Sequence, residues 1–353
     1  MKTILVIFGG TNSEHEVSLK SAASIISMLD TGKYNIVRLG ITKNGQWIKT
    51  DASVEQIKDG SWENLPNNIC AVLSPDRMDK GLILKKDNGF EMLKVDCVWP
   101  VLHVKYGEDG TIQGLFELAG LSYVGPGVFS SAVSMDKSQT KIAVEKSGIR
   151  QADYYLVRKK AYQEDPDGED RAIKEHFKSV FPLFVKPCST GSSVGVTKVA
   201  KAEDLRAAVE EALIHDEKVL VEETIIGREV EVAVLGNKDP KASVVGEVLS
   251  ANEFYDYSAK YINSASRTVI PAELRSEDQE RLQQAAVTIY SVLECKGLSR
   301  VDFFLTADGT PVFNEINTLP GFTNISMYPK LWEASGIPNS ELVDRLISLA
   351  LEC

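Results

Sequence analysis

The sequence of 353 residues has little that could anchor it in a membrane or cross-link it. Its opening apolar run, residues 4–8, is too short for a membrane-spanning helix of roughly 20 residues or for the core of a signal peptide. The five cysteines are scattered and form no Cys-x-x-Cys pair, which argues against a disulfide framework and a zinc site. These absences predict a cytoplasmic protein.

Positive charge is also scarce, since 39 Lys and Arg stand against 50 Asp and Glu, for a formal net charge of −11. Nucleic acid and anionic membranes are bound by basic surfaces, so neither is expected as a partner. Any phosphate site must therefore be a local cluster of cations and backbone amides. The Gly-Lys-Ser/Thr order of a P-loop is absent, and Gly9-Gly10 lacks the full spacing of a dinucleotide-binding fingerprint.

Hydrophobic residues make up 43% and charged residues 25% of the chain, as is typical of a globular protein. The length exceeds one ordinary core. An apolar strand at 4–8, a helix with apolar positions at helical spacing over 17–29 and a strand at 34–41 predict a parallel α/β sheet. Residues 42–92 are polar and rich in turns, and are interpreted as an excursion from this sheet. A strand at 96–102 restores it.

The rest of the chain predicts two smaller α+β modules. Their signals are a helical stretch at 130–147, strands near 181–186, 195–199 and 219–222 with a polar helix at 202–214, then strands at 230–235 and 244–249, a helix at 276–294, a hairpin at 299–316 and a helix at 339–351. We therefore place three domains at residues 1–127, 128–225 and 226–353.

The most informative local feature is the hairpin, because Asp308-Gly309 is a strong signal for a two-residue turn. The resulting register and the period-two alternation of strands place four polar side chains on one face in two facing pairs, Asp302 with Glu315 and Arg300 with Asn317. A longer loop would change this pairing, although residues 315 and 317 would still share a face.

Two facing carboxylates repel each other unless a divalent cation lies between them. Oxygen ligands from Asp302, Glu315 and Asn317, with no His or Cys nearby, suit Mg²⁺ or Mn²⁺. A solvated polar sheet face is the alternative.

Two other segments have the chemistry of a nucleotide site. Small residues at 188–195 follow a strand that ends near Lys186, and such residues let backbone N–H groups wrap an anion. The strand at 219–225 ends in acidic residues that could face an adenine or a ribose. A surface hairpin and a structural sheet edge are the respective alternatives.

Six segments, in order along nearly the whole chain, resemble those of the D-alanine–D-alanine ligases: residues 9–18, 107–114, 135–137, 186–195, 254–261 and 314–321. The resemblance implies a Rossmann-like parallel α/β domain followed by a two-module ATP-grasp fold. It implies that ATP drives the joining of two D-alanine molecules through an acyl phosphate, for peptidoglycan precursor synthesis. It also implies a homodimer.

The resemblance assigns roles to individual residues. For the nucleotide these are Lys137, Lys186 and Lys260 at the phosphates, the Ser192-Ser193 loop over them, and Glu222 and Glu229 at adenine and ribose. Two metal ions are assigned to Asp302, Glu315 and Asn317. The catalytic residues are Glu14, which holds the ammonium of the first D-alanine with Ser192 and Tyr261, and Arg300 and the Gly321 N–H at the oxyanion. The substrate-binding residues are His103 for the first D-alanine and Ser326 and Met327 for the second.

Two residues depart from the family pattern. Val104 stands where glycine commonly follows the histidine, and Asn12 stands where serine is usual. Both positions lie near the first substrate. The rival activities are ligation of D-alanine to D-serine or D-lactate, against which Tyr261 and the apolar Met327 argue, and non-catalytic ATP binding, against which the intact metal and lysine positions argue. Tyr261, Ser192 and the substrate carboxylate are all candidates for the general base.

Overall fold

A computed structural model describes residues 1–249 and 267–352, which form three β-sheets with helices packed against them. The resembling segment at 254–261, which carries Lys260 and Tyr261, lies outside the described residues. So does the rest of the segment at about 253–265, which the resemblance assigns to a mobile lid loop over the site. Within the described ranges, no helix is long and apolar enough to cross a membrane.

The first part of the chain forms an eight-stranded sheet. In chain order its strands are β1 (Lys2–Gly9), β2 (Tyr34–Ile41), β3 (Trp47–Thr50), β4 (Ile69–Leu73), β5 (Gly81–Lys86), β6 (Gly89–Lys94), β7 (Cys97–Val101) and β8 (Ser122–Tyr123). As predicted, β1 pairs in parallel with β2 and with β7. Helices cover both faces of parallel strands, which is why β1 is a continuous apolar run. The accompanying helices are α1 (His15–Met28), α2 (Val54–Lys58) and α3 (Thr111–Ala119), with a 3-10 turn at Ser61–Asn64.

The interpretation of residues 42–92 as an excursion from the sheet is wrong. Strands β3 to β6 continue the same sheet as antiparallel neighbours beyond β2. In this region only one side is covered, so Ala71 and Leu73 of β4 are buried while Cys70 and Val72 of the same strand are exposed. Antiparallel strands with one solvated face alternate instead of forming apolar runs, and so resemble loops in sequence.

The helical stretch predicted at 130–147 consists of two helices, α4 (Val128–Met135) and α5 (Lys137–Glu145). Asp136 separates them, and its side chain accepts hydrogen bonds from the backbone N–H groups of Ser138 and Gln139. Such a cap starts a new helix at the following residue. Lys137 therefore stands at the first position of α5, and its N–H donates to the carbonyl of Cys188 at 3.0 Å.

A four-stranded antiparallel sheet follows, with strand order β10-β13-β11-β12. The elements of this region are β9 (Arg150–Gln151), which joins the third sheet, β10 (Tyr154–Arg158), α6 (Lys159–Glu164), α7 (Pro166–His176), β11 (Leu183–Pro187), β12 (Thr197–Val199), a 3-10 turn at Ala202–Asp204, α8 (Leu205–His215) and β13 (Lys218–Glu223). Strand β11 delivers Lys186 to the end of this sheet, beside the segment of small residues.

The third sheet has the order β16-β15-β14-β17-β18-β9. Its remaining strands are β14 (Arg228–Leu235), β15 (Lys241–Leu249), β16 (Arg267–Val269), β17 (Leu298–Leu305) and β18 (Pro311–Asn317), and the last helices are α9 (Ser276–Val292), α10 (Met327–Ala334) and α11 (Asn339–Leu351). Leu282, Ala286 and Ile289 recur at helical spacing and bury one face of α9 against this sheet.

The C-terminal helix packs against the first sheet. Leu342 and Leu346 of α11 belong to the same buried apolar cluster as Ile4 of β1 and Trp99 of β7. The two ends of the chain therefore share a core. The three predicted domain limits stay a prediction.

Candidate active site

The hairpin of β17 and β18 brings the predicted polar residues together. Asp302 pairs with Glu315 and Arg300 pairs with Asn317, as predicted. The predicted two-residue turn is wrong, because Leu305 pairs with Pro311 and the loop is longer. A β-bulge next to Asp302 shifts the register by one residue and restores the predicted pairs. The longer loop and the bulge thus offset each other.

Three carboxylates form a row across neighbouring strands, and we call Glu231, Asp302 and Glu315 the acidic row. Glu231 on β14 pairs with Asp302, which pairs with Glu315. No role was predicted for Glu231 from the sequence, although its place in an alternating strand was the available signal.

Arg300 compensates the acidic row. Its Nε and Nη2 each lie 2.7 Å from one oxygen of Asp302, and Nε lies 2.9 Å from Glu231 Oε2. Burial alone would lower the pKa of Arg300, but the charges of Asp302 and Glu231 raise that pKa well above its ordinary value. The guanidinium is therefore a permanent cation in the sheet face.

The oxygen atoms of Asp302, Glu315 and Asn317 suit a hard cation that is bound together with phosphate. Asn317 Nδ2 donates to Asp302 Oδ2 at 3.0 Å, and Lys137 Nζ lies 3.7 Å from Glu315 Oε2. Across residues 1–249 and 267–352, no three His, Cys, Asp or Glu side chains converge as a metal site. Two carboxylates and one carboxamide oxygen match the way Mg²⁺ is bound when substrate phosphates complete its shell.

Behind the hairpin, Glu222 lies between two lysines. Lys186 Nζ is 2.5 Å from Glu222 Oε2 and Lys141 Nζ is 2.9 Å from Glu222 Oε1, and all three side chains are buried. Burial raises the pKa of Glu222, but the two lysines outweigh it and hold that pKa below its usual value. Sequence reasoning missed Lys141, which stands one helical turn after Lys137 on α5.

The segment of small residues forms a loop that contacts the first part of the chain. Ser192 and Ser193 adopt φ of 49° and 59°, in the left-handed region. Ser192 Oγ donates to Glu14 Oε1, and Lys137 Nζ donates to the carbonyl of Thr190 at 2.9 Å. Glu14 caps no helix with its side chain. It is therefore available to the loop and to the cavity beside it.

A second carboxylate ties the same region together. Glu108 accepts hydrogen bonds from the N–H of Val104 at 2.7 Å and of Leu319 at 3.1 Å. Burial is the main cause that raises its pKa to about 7. His103 is buried beside it, and burial lowers the pKa of His103. Glu108 lies in a segment that carried the family resemblance, but no role was predicted for it.

One cavity of about 580 Å³ lies between these elements. It is lined by ten of the predicted site residues, Glu14, His103, Lys137, Ser192, Arg300, Glu315, Asn317, Gly321, Ser326 and Met327. Five more predicted residues within the described ranges are not among its lining residues, namely Lys186, Ser193, Glu222, Glu229 and Asp302. The predicted Lys260 and Tyr261 lie outside the described residues.

Met327 lines the cavity and also belongs to the core. It begins α10, is buried, and lies so close to Gly246 that a Cβ added there would be 2.5 Å from Met327 Cε. Next to it, Ser326 Oγ accepts a hydrogen bond from the Thr323 N–H at 2.9 Å. This side of the cavity is therefore held in place by packing and by a local turn.

Comparison with known families gives matches over both halves of the chain. A model described as the D-ala D-ala ligase N-terminus matches residues 3–126, and one described as the D-ala D-ala ligase C-terminus matches residues 143–348. Among named relatives, D-alanine--D-alanine ligase B of Clostridium tetani is 49% identical over 99% of this chain and 93% of its own length. D-alanine--D-alanine ligase of Acetivibrio thermocellus is 50% identical over 99% of this chain and 96% of its own length.

Solved structures of ligases are also similar to this chain. VanG D-Ala:D-Ser ligase from Enterococcus faecalis is similar with a TM-score of 0.89 and 42% identity, covering 99% of both chains. D-alanine-D-alanine ligase from Coxiella burnetii is similar with a TM-score of 0.85 and 36% identity, covering 99% of this chain and 94% of its own. These neighbours confirm the predicted α/β and α+β fold with ATP-grasp modules.

Proposed function

The chain belongs to the D-alanine–D-alanine ligase family, and on that premise we propose how its cavity joins two D-alanine molecules at the expense of ATP. The predicted activity, ligation for peptidoglycan precursor synthesis, is confirmed by the family. The observation that carries the proposal is the pairing, in one cavity, of Glu14 held by Ser192 with the cationic and acidic face of the hairpin. Glu14 can bind an ammonium group, and the face of the hairpin can bind phosphate together with a cation.

The reaction proceeds in two steps because a carboxylate resists attack by an amine. In the first, a carboxylate oxygen of one D-alanine attacks the γ-phosphorus of ATP, and ADP leaves, which produces an acyl phosphate. In the second, the amine of the other D-alanine attacks the acyl carbon and inorganic phosphate leaves with the bonding electrons. The proton that the amine loses passes to a base, for which Tyr261, Ser192 and the substrate carboxylate are the candidates. Lys137, at the cavity wall, and Lys186, behind it, are proposed to offset charge on the transferring phosphoryl group.

Substrate positions follow from the charges that line the cavity. Glu14 supplies the carboxylate for the ammonium of the first D-alanine, with His103 beside it. Arg300 and the N–H of Gly321 are proposed to stabilise the oxyanion that forms on the attacked acyl group. Ser326 and Met327 border the space for the second D-alanine.

ATP and divalent cations are implied by the family. We assign Mg²⁺ or Mn²⁺, as two ions, to Asp302, Glu315 and Asn317, since oxygen donors on one sheet face suit either ion. When bound, the ions would neutralise phosphate charge. Glu222 and Glu229 are assigned to adenine and ribose. Phosphate release measured after chelation and addition of each metal separately would test the metal assignment, and activity independent of divalent cations would overturn it.

The activity itself is tested by measuring inorganic phosphate released from ATP with D-alanine, D-serine, D-lactate and L-alanine offered separately, and in pairs with D-alanine. D-alanine alone is expected to support release with formation of the dipeptide. Absence of D-alanine-dependent phosphate would overturn the proposal.

D-serine is the second candidate for the incoming substrate, favoured by the similarity to VanG D-Ala:D-Ser ligase. The apolar Met327 argues for D-alanine, because it offers the serine hydroxyl only a weak hydrogen-bond acceptor. Faster phosphate release with the D-alanine and D-serine pair than with D-alanine alone would identify the second candidate as correct.

The proposal extends to the oligomeric state, the compartment and the domain limits of the protein. We propose a homodimer in the cytoplasm, where the ATP and D-alanine would be available, with domains at residues 1–127, 128–225 and 226–353. A sedimentation coefficient that corresponds to one chain of 38.8 kDa would contradict the dimer.

A further inference from the structure

The turn after β7 contains a valine in an unfavourable backbone conformation. Val104 has φ of +57°, in the left-handed region, where a β-branched side chain is a true outlier. The Glu108 carboxylate accepts the N–H of Val104 at 2.7 Å, and the Val104 carbonyl accepts the N–H of Glu108 at 2.8 Å. Such a conformation persists only where surrounding contacts hold it.

A single side chain holds the carbonyls on both sides of this valine. Asn12 Nδ2 donates to the carbonyl of His103 at 2.7 Å and to that of Lys105 at 3.0 Å. Its Oδ1 accepts the backbone N–H of Glu14 at 3.0 Å. Asn12 therefore connects the turn of residues 103–105 to the backbone that carries Glu14. A serine at position 12 has one hydroxyl donor and could not make both carbonyl contacts at once.

The side chain of Val104 lies against the segment of small residues at 188–195, which we call the phosphate loop. A Cβ added to Gly191 would be 2.9 Å from Val104 Cγ2 and 3.4 Å from Glu14 Oε1, so the valine packs directly on the glycine backbone. The next residue, Ser192, donates its hydroxyl to Glu14. The contact of Val104 with Gly191 and the hydrogen bond of Ser192 with Glu14 are therefore adjacent.

We propose that Asn12 and Val104 are a coupled pair of positioning residues, in which Asn12 holds the turn so that Val104 keeps the phosphate loop, and with it Ser192, on Glu14. This inference rests on the proposed function, because Glu14 is the group assigned to the ammonium of the first D-alanine. Glycine adopts positive φ without strain, so a turn with glycine at position 104 would depend less on the two hydrogen bonds that Asn12 donates.

The test is a double-mutant cycle with N12A, V104G and the double variant. N12A should raise the KM for the first D-alanine about five- to tenfold, the scale of one to two lost hydrogen bonds, with kcat changed less than about twofold. In the V104G background, N12A should raise the KM for the first D-alanine about twofold or less, because a glycine at position 104 adopts positive φ without needing Asn12 to hold it. Where N12A does not fold, N12S keeps one donor and gives a smaller effect of the same sign.

Asn68 is a matched control, since its Nδ2 donates to the carbonyls of Trp62 at 2.8 Å and Glu63 at 3.1 Å in a loop that does not line the cavity. N68A should lower the thermal unfolding temperature as N12A does, yet leave the KM for D-alanine unchanged. A similar KM rise for N68A would show a general loss of stability and overturn the inference.

Thermal unfolding of the four cycle proteins without substrates gives a readout that does not depend on activity. Coupling between N12A and V104G in the unfolding temperature supports the pair, and strictly additive shifts overturn it. If the unsubstituted protein releases no phosphate with D-alanine, the proposed function fails, and the unfolding cycle still decides whether the two residues are coupled.

Discussion

Two regions in and directly behind the cavity wall are built in different ways. The acidic row and Arg300 stand on three neighbouring strands, and their contacts are fixed by strand register. Opposite them, Glu14 and Ser192 come from positions 178 residues apart and meet only because two loops touch. The charges proposed for phosphoryl transfer thus stand on a rigid sheet. The groups proposed for the first substrate stand where separate parts of the chain dock.

The largest effect is expected on the sheet side, from Glu315→Gln. The change keeps the side-chain shape but removes one carboxylate from the proposed cation site, so turnover should fall about 100-fold or more, the scale of a lost transition-state charge contact. Nucleotide affinity, measured by titration, should change much less. Glu341→Gln, in the exposed ion pair with Arg345, is the control and should leave turnover intact. Unchanged turnover for Glu315→Gln would refute the metal assignment.

Arg300→Lys should have the next largest effect. Lysine keeps the charge but cannot donate in parallel to both oxygens of Asp302 while contacting Glu231, so kcat should fall roughly 10- to 100-fold. The matched change Arg275→Lys alters an equally forked pair with Asp278 at a site that does not line the cavity, and should leave steady-state rates unchanged. Equal rates for the Arg300 variant and the unsubstituted protein would mean that charge alone suffices.

On the loop side, Ser192→Ala should act chiefly on substrate binding. Loss of the hydroxyl that donates to Glu14 should raise the KM for the first D-alanine about tenfold, with a smaller change in kcat. Initial rates over a D-alanine series would separate the two constants. A fall in kcat with KM unchanged would place Ser192 in the chemical step, and so remove the contrast between the two regions.

Glu108→Gln should produce the smallest effect, on the pH dependence of stability. Burial raises the pKa of Glu108 from 4.5 to about 7. The folded protein therefore binds this proton more tightly than the unfolded chain, and the resulting stabilisation is complete below pH 4.5 and is lost as pH rises through about 7. The loss is at most about 3.5 kcal/mol, since one pKa unit corresponds to about 1.4 kcal/mol.

This prediction is checked by urea unfolding of the protein without nucleotide or metal, at several values between about pH 5 and 8. The free energy of unfolding of Glu108→Gln should fall less over this range than that of the unsubstituted protein. Parallel pH curves for the two proteins would contradict a titrating Glu108.

Prediction from sequence worked where structure is local and failed where long-range pairing decides. The strand at 34–41 is confirmed residue for residue, because a short segment rich in β-forming residues and bounded by turns is a local property. Strands β3 to β6 were missed, because one face of this antiparallel region is solvated and its strands lack long apolar runs. The facing of Asp302 and Glu315 was predicted correctly, but the loop and the bulge that produce it were not.

By itself, the sequence determined the order of elements, the alternation that puts Arg300, Asp302, Glu315 and Asn317 on one face, and the motifs that place the chain in its family. Only the tertiary structure placed Glu231 beside Arg300, and Lys141 and Lys186 on either side of Glu222. It also placed Asn12 against the carbonyls that flank Val104. The physical reason is the separation along the chain between the residues in contact. Backbone geometry repeats every two or 3.6 residues and can be read along the chain, whereas a contact across 91 or 178 residues depends on how whole sheets pack.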